Sequence, residues 1–379
     1  MRIGIDASNL RVGGGLMHLY QLLEKADPGS HRFNEITVWA GKSTLQGLPA
    51  RNAWLNLVHA PMLDRPLPFR LYWQRAKLPG LAREACDVLL LPGGGSAGGF
   101  CPYVTMSRNL LPFEICEMRR FGFSWTFLRL LLLRLGQTNS FRKAEGVIFL
   151  TDYARTVVMN TTKHFNGQWK IIPHGIDKRF FLRPRIQKPL HAYSQNEPFR
   201  LLYVSIVDVY KHQWHVAEAV DRVRKDGFPV MLDLVGPAYP PALKRLWHTI
   251  RKADPSGTFI HYRGPVPYPE LPSHYHQADG FVFASSCENM PNILLEAMAA
   301  GLPIACSNRG PMPEILGDAG VYFDPEEPGD IASAIHTLIE DQALRDRCAW
   351  SAYQRAQGYS WDRCAKGTFD FIRQVAGDY

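Results

Sequence analysis

Short apolar runs punctuate the chain at 35–39, 87–91, 146–150, 200–206, 230–235, 259–263 and 280–284, and stretches of helical periodicity separate them. Runs this short fit strands of a sheet covered by the intervening helices. A strand–helix alternation makes such strands parallel, because a parallel neighbour has to be reached by a crossover. The pattern therefore predicts an α/β chain of doubly wound parallel sheets. At 379 residues the chain exceeds what one hydrophobic core holds. The periodic pattern lapses at 180–198, where Arg, Lys, Pro and polar residues take over and an interdomain linker is expected, and a fresh strand opens at Leu201. We expect two Rossmann-like domains, 1–178 and 179–358, facing one another across a deep cleft, with ligands bound beyond the carboxyl ends of the strands.

A formal net charge of +8 favours an anionic partner without choosing among nucleotide diphosphates, anionic lipid and nucleic acid. No long Lys/Arg tract selects nucleic acid, which is not expected as a partner. The seven cysteines, at 86, 101, 116, 287, 306, 348 and 364, are odd in number and include no Cys-x-x-Cys pair, as befits reduced thiols. Met1 is followed by Ile3-Gly4-Ile5-Asp6, which reads as a first strand rather than an export signal, so a cytoplasmic location is expected. No Asp-x-Asp motif occurs, and the pairs His212/His215 and His274/His276 have no convincing third ligand. Neither a metal nor another cofactor is expected.

The densest chemistry lies in Glu288-Asn289-Met290-Pro291-Asn292-Ile293-Leu294-Leu295-Glu296. Pro291 suits the first turn of a helix, residues 293–300 are good helix formers, and Gly301 with Pro303 supplies a stop. One carboxylate then precedes the helix and the other lies inside it. Free N–H groups and the helix dipole between them would attract a diphosphate, with Glu288 meeting a sugar and Glu296 a ribose diol. On its own the spacing also fits an ordinary surface helix with two solvated acids.

Other segments carry weaker signals. After Asp6, the run Arg11-Val12-Gly13-Gly14-Gly15 lets backbone approach a phosphate or sugar, or forms only a flexible turn. Lys211, which follows the strand 201–207, is either a point charge for a leaving diphosphate or a solvated lysine at a helix start. Gly94-Gly95-Ser96-Ala97-Gly98 matches the hydrolase pattern Gly-x-Ser-x-Gly. The chain then continues as Gly99-Phe100-Cys101-Pro102-Tyr103, poor material for the helix a nucleophile elbow requires, so a loop touching an acceptor is preferred. The stretch 123–135 is too short to span a bilayer. Arg119, Arg120, Arg129 and Arg134 interleave with Phe121, Phe123, Trp125, Phe127 and several leucines. Such a segment either seats the protein peripherally on the anionic inner membrane leaflet or is a core-facing helix whose arginines reach water along their stems.

Residues 285–313 resemble the donor-binding signature of the retaining glycosyltransferases of family 4 (glycosyl transferases group 1), which have the GT-B fold. Glu288, Asn289, Pro291, Asn292, Glu296, Ala297, Gly301 and Pro303 carry the likeness, followed by Ser307-Asn308-Arg309-Gly310 and Pro313-Glu314, and it extends over essentially the whole chain. The resemblance implies a hexosyltransferase-type enzyme that moves a sugar from a nucleotide diphosphate sugar to a hydroxyl with retention. It implies Glu288, Lys211 and Asn109 as catalytic residues. It also implies Gly14, Gly15, His174, Gly264, Pro265, Asn289, Met290, Pro291, Asn292, Glu296 and Arg309 as donor-binding residues. His174 lies in the hinge motif Pro173-His174-Gly175-Ile176-Asp177, with Gly175 permitting a tight turn, and is equally readable as structural. Gly264-Pro265 is placed against the nucleotide base. Residues 359–379 are expected to cross back as a helix onto the first domain. Two departures stand out: Arg108 occupies a position where His is common, and Ile206 replaces a frequent phosphate-binding Arg, leaving backbone amides with Lys211, or another cation such as Arg309, to substitute. The family suggests a lipid-linked or other glycan acceptor in bacterial O-antigen or exopolysaccharide assembly. A GT-B nucleotide-sugar epimerase and an inactive nucleotide-sugar-binding protein are the alternatives.

Overall fold

The computed structural model describes every residue except Val12, Arg51, Ser96, Asp378 and Tyr379. The chain divides into two compact units, one of Met1–Met118, Gly122–Gly175 and Ser360–Tyr379, the other of Arg119–Phe121 and Ile176–Tyr359.

Among the described residues the first unit contributes β1 (Arg2–Asp6), β2 (Glu35–Ala40), β3 (Leu55–His59), β4 (Val88–Leu91), β5 (Tyr103–Met106), β6 (Gly146–Phe149) and β7 (Gln168–Ile171). They form one sheet in the order β3-β2-β1-β4-β5-β6-β7, and every pairing is parallel. The second unit contributes β8 (Phe199–Val204), β9 (Val230–Val235), β10 (Ile260–Gly264), β11 (Gly280–Phe283), β12 (Ile304–Ser307) and β13 (Val321–Phe323). Their order is β10-β9-β8-β11-β12-β13, again all parallel. The central strands β4, β5, β6, β11 and β12 are buried at every position, which explains why β4, β6 and β11 read as apolar runs rather than alternating ones.

Strand order reverses between β1 and β4 in the first sheet and between β8 and β11 in the second. At such a reversal the chains leaving neighbouring strands turn to opposite faces, opening a crevice at the carboxyl ends.

The change of unit falls between Gly175 and Ile176. Residues 180–198, expected as a linker, pack on the second unit: Phe180 is fully buried with its ring 5.6 Å from those of Tyr268 and Tyr275, and Leu182 N donates to Ala299 O at 3.0 Å. The helix Trp361–Gly377 belongs to the first unit, where Phe371 and Val375 lie over Gly146 of β6 and Phe369 and Ile372 are fully buried. Each such side chain contributes roughly 1.5–3 kcal/mol.

Candidate active site

The loops leaving β8 and β11 are bonded to one another. Ser286 N donates to Tyr210 O at 2.9 Å, and the Ser286 hydroxyl meets His212 Nε2 at 3.0 Å. Lys211 Nζ is ion-paired with Glu288 Oε1, both side chains being largely buried, and it also lies over the rings of Tyr210 and Phe283 at 5.1 and 5.3 Å. Sequence reasoning gave this lysine and this glutamate separate roles; the fold makes them one pair. His212 takes a left-handed backbone (φ 51°) that turns the chain into the helix Gln213–Lys225, and Tyr203 Oη fixes the turn through Lys211 O at 2.6 Å. Burial pushes the His212 imidazole down to about 3, so it is neutral here.

Beyond Glu288 the chain enters the helix Asn292–Ala299 with Pro291 as its N-cap, one place before the first-turn position expected for it. No side chain caps this end. The amides of Asn292 and Ile293 have no partner within the helix, and Asn292 Oδ1 is buried without a hydrogen-bond partner among the described residues. Asn289 and Met290 are buried in the approach to it. Gly301, with φ +64°, ends the helix, as the sequence led us to expect.

One turn into this helix, Glu296 is 7% exposed. It accepts from Tyr275 Oη at 3.0 Å and from Tyr268 Oη at 3.5 Å. Burial outweighs these two hydroxyls and pushes its carboxyl up to about 8. The tyrosines were missed from sequence because both read as ordinary apolar helix and turn residues; their only signal is a polar atom on an otherwise buried ring.

Gly264 closes β10 with φ +73°, its carbonyl taken by Gly236 N at 2.8 Å, and Pro265 is exposed beside it. Arg309, half exposed, is held by Asp324 at 2.6 Å rather than left free to replace the arginine missing at Ile206, itself 38% exposed. The His212/His215 pair is spent on Ser286 and on Pro325 O. Among the described residues no group of three or more His, Cys, Asp or Glu is gathered to hold a metal ion.

In the first unit, Gly13 has φ +73° and ψ −159°, a conformation open only to glycine, and launches the helix Gly14–Glu24. Gly14 and Gly15 are therefore helix residues, and Arg108 anchors them by donating to their carbonyls at 2.7 and 3.1 Å. Burial pushes this guanidinium down to about 10, still charged near neutrality. His18, missed from sequence, meets His174 with their Nδ1 atoms 2.8 Å apart, and Trp361 packs against both rings. Burial, with Arg108 nearby, holds both imidazoles well below their usual range, so the contact joins two neutral rings in opposite tautomers. His174 is thus a buried strut. Gly175 is glycine for space and not for a left-handed turn, since a Cβ there would fall 2.1 Å from Trp361 N. Asn109 is exposed and its side-chain Oδ1 accepts from Leu111 N at 3.1 Å, closing a local turn.

The hydrolase-like serine, Ser96, lies outside the described residues; the chain after it runs into β5, not a helix. Of the four arginines in the aromatic stretch, Arg120 is paired with Glu326 at 2.5 Å within the second unit, and Arg134 donates to Pro112 O, Phe113 O and Thr161 Oγ1. Arg119 and Arg129 are exposed. Among the described residues no helix is long and apolar enough to cross a membrane.

Residues 198–341 match the family described as glycosyl transferases group 1. The O-antigen chain mannosyltransferase B of Escherichia coli is 34% identical over 125 residues, covering 33% of this chain and 32% of that protein. A D-inositol 3-phosphate glycosyltransferase of Paenarthrobacter aurescens is 26% identical over 250 residues, covering 62% of this chain and 61% of that one. The alignments thus span less than two thirds of these relatives' own lengths. Among solved structures, sucrose-phosphate synthase from Thermosynechococcus elongatus superposes with a TM-score of 0.74 at 17% identity, covering all of both chains. The Anabaena protein HepE in complex with UDP-glucose superposes at 0.70 and 20% identity, covering 100% of this chain and 99% of that one. WaaG, a glycosyltransferase involved in lipopolysaccharide biosynthesis, does so at 0.69 and 14%, covering 98% and 99%. At these identities the structural likeness establishes the fold.

Proposed function

We propose that this chain, whose residues 198–341 match the group 1 glycosyltransferases of family 4 and whose fold is GT-B, transfers a sugar with retention from a nucleotide diphosphate sugar to a hydroxyl of a lipid-linked glycan. The observation that carries this reading is the Lys211–Glu288 pair at the β8/β11 reversal, one short loop from the uncapped start of the helix Asn292–Ala299. As the glycosidic bond to phosphate lengthens, negative charge grows on the diphosphate. Lys211 and the amides of Asn292 and Ile293 are the preorganised positive groups that stabilise it. Glu288 sets the position of the Lys211 ammonium and accepts a sugar hydroxyl, Glu296 takes the ribose diol, and Gly264-Pro265 lies along the base. The diphosphate needs no metal in this scheme, since its charge is met by a lysine and a helix end. A place in surface-polysaccharide assembly is supported by the relative that builds O-antigen chains.

The test is nucleotide release from a panel of UDP-, GDP-, ADP- and dTDP-sugars with EDTA present, with and without lipid-linked glycan. Release that requires both one donor and the glycan supports the transferase. Donor conversion without any acceptor would make the protein an epimerase, and absence of nucleotide-sugar binding would end the reading.

A further inference from the structure

The first unit carries arginines that the donor chemistry does not use. Arg11 lies in the loop after β1 and, among the described residues, donates to the carbonyls of Leu63 and Arg65, at 2.8 and 3.4 Å. Arg70 reaches the end of the same strand, donating to Asn9 Oδ1 at 3.3 Å and Ser8 O at 3.5 Å, and its Nε is buried without a partner among the described residues. Arg129 is exposed and has no ion-pair partner among those residues. Burial pulls the Arg70 pKa down, and Arg11 and Arg129 are close enough to add to it. The carboxylate that feels Arg11, Asp64, is already held by His59 Nε2 at 2.7 Å and Lys42 N at 2.8 Å. Among the described residues Arg11 and Arg70 donate to no carboxylate, and the positive potential of the three arginines, which the single Asp64 charge offsets only in part, lies at the β1/β4 reversal.

Apolar surface adjoins them. The helix Leu67–Tyr72, which holds Arg70, exposes Leu67, Phe69 and Tyr72. The helix Trp125–Lys143 exposes Trp125 (74%), Leu132 (58%) and Leu135 (68%) on the stripe that holds Arg129, while its opposite face buries Leu130 and Phe141. A helix apolar on both sides needs a cover on the second. The second of these helices and the turn Trp73–Lys77 that continues the first both reach the loop after β4: a Cβ on Gly94 would lie 2.8 Å from Gln137, and one on Gly95 3.1 Å from Gln74. A second copy of the chain is a poor occupant, because it would set the same arginines against each other.

We propose that Arg11, Arg70 and Arg129, with these apolar helix faces, form a subsite for a phosphate-headed lipid, the arginines holding the phosphate and the helices its hydrocarbon chain. The proposal rests on the transferase reading, for which this lipid is the acceptor's carrier. The full-length protein is titrated calorimetrically with farnesyl phosphate, farnesol and inorganic phosphate, and tested for sedimentation with phosphatidylcholine vesicles containing phosphatidylglycerol. Farnesyl phosphate should bind at least about tenfold more tightly than either half-ligand, and Arg70→Gln or Arg129→Gln should each cost about tenfold. Leu135→Ser should weaken farnesyl phosphate but not inorganic phosphate. Thermal melts and nucleotide-sugar binding show that the variants fold. Equal affinity for farnesol, or unchanged affinity in both arginine variants, would overturn the subsite. So would vesicle binding without binding of monomeric farnesyl phosphate, which would mark a general membrane surface, or a dimer dispersed by Leu135→Ser with no lipid bound. Loss of all nucleotide-sugar binding would instead refute the transferase, leaving the lipid titration to stand by itself.

Discussion

Glu296 offers a measurement that separates a ribose-binding carboxylate from a merely buried one. Its carboxyl is pushed up from 4.5 to about 8 by burial, against the opposing bonds from Tyr275 and Tyr268. Two ribose hydroxyls donate best to an ionised carboxylate, so donor binding below that pKa must first expel a proton. At 1.36 kcal/mol per unit this costs about 3 kcal/mol near pH 6 and nothing above about pH 8. The dissociation constant for the nucleotide sugar should therefore improve about tenfold for each pH unit between about 6 and 8, then level off. Its diphosphate is a diester and does not titrate in that window. Calorimetry in two buffers of different ionisation enthalpy should register release of close to one proton at the low end. Glu296→Gln should bind weakly and without pH dependence. The same raised pKa has a consequence for folding: the folded state holds the proton that the unfolded chain gives up near pH 4.5, so stability falls as pH rises from there to about 8. The shift amounts to about 5 kcal/mol at most, and Glu296→Gln should remove that slope and be the more stable protein above pH 8. A flat wild-type affinity with no proton release would refute the assignment of Glu296 to the ribose.

Two further outcomes follow from the packing. Lys211→Met strands a largely buried Glu288 and should cost about 3 kcal/mol in denaturant unfolding, with turnover down at least about a hundredfold; Lys211→Met with Glu288→Gln should recover most of the stability and none of the turnover. Stability that stays lost in the double variant would mean the pair is not the cause. Gly175→Ala drives a methyl into the backbone at Ser360 and Trp361 and should lower the melting temperature by the equivalent of about 3 kcal/mol, whereas an unchanged melt would refute the close approach.

What the sequence made legible was whatever local periodicity and composition encode. The runs that become β2, β4, β6, β8 and β11 stand out because strands buried at nearly every position are mostly apolar, and those that become β9 and β10 because apolar residues still alternate there with Asp233, His261 and Arg263. β3, with exposed Asn56 and His59 at one side of its sheet, and β13, of three residues, carry too little pattern to be seen. Glu288, Lys211 and Glu296 were legible as candidates. Their mutual arrangement was not, because the residues that join the β8 and β11 loops are 77 positions apart and act through contacts such as Lys211–Glu288 that no spacing announces. Phe180 looked like linker because its partners, Tyr268 and Tyr275, are far along the chain. Arg134 and Arg120 looked like members of a basic stripe because composition cannot tell a guanidinium facing lipid from one donating to the carbonyls of Pro112 and Phe113 or held by Glu326.

The helix Trp361–Gly377 covers the first sheet at β4, β5 and β6, yet residues 176–359 are translated before it. A ribosome adding about 5–20 residues per second needs roughly 10 to 40 s to traverse that interval. Throughout it the nascent first unit has its sheet, its Gly13–Glu24 turn and helix, and an uncovered apolar face where Phe369, Phe371 and Ile372 will dock. The first unit to be started is therefore the last to be finished. During synthesis this protein should be a client for chaperones that shield exposed apolar sheet, and a chain stalled anywhere in the second unit should aggregate through the first.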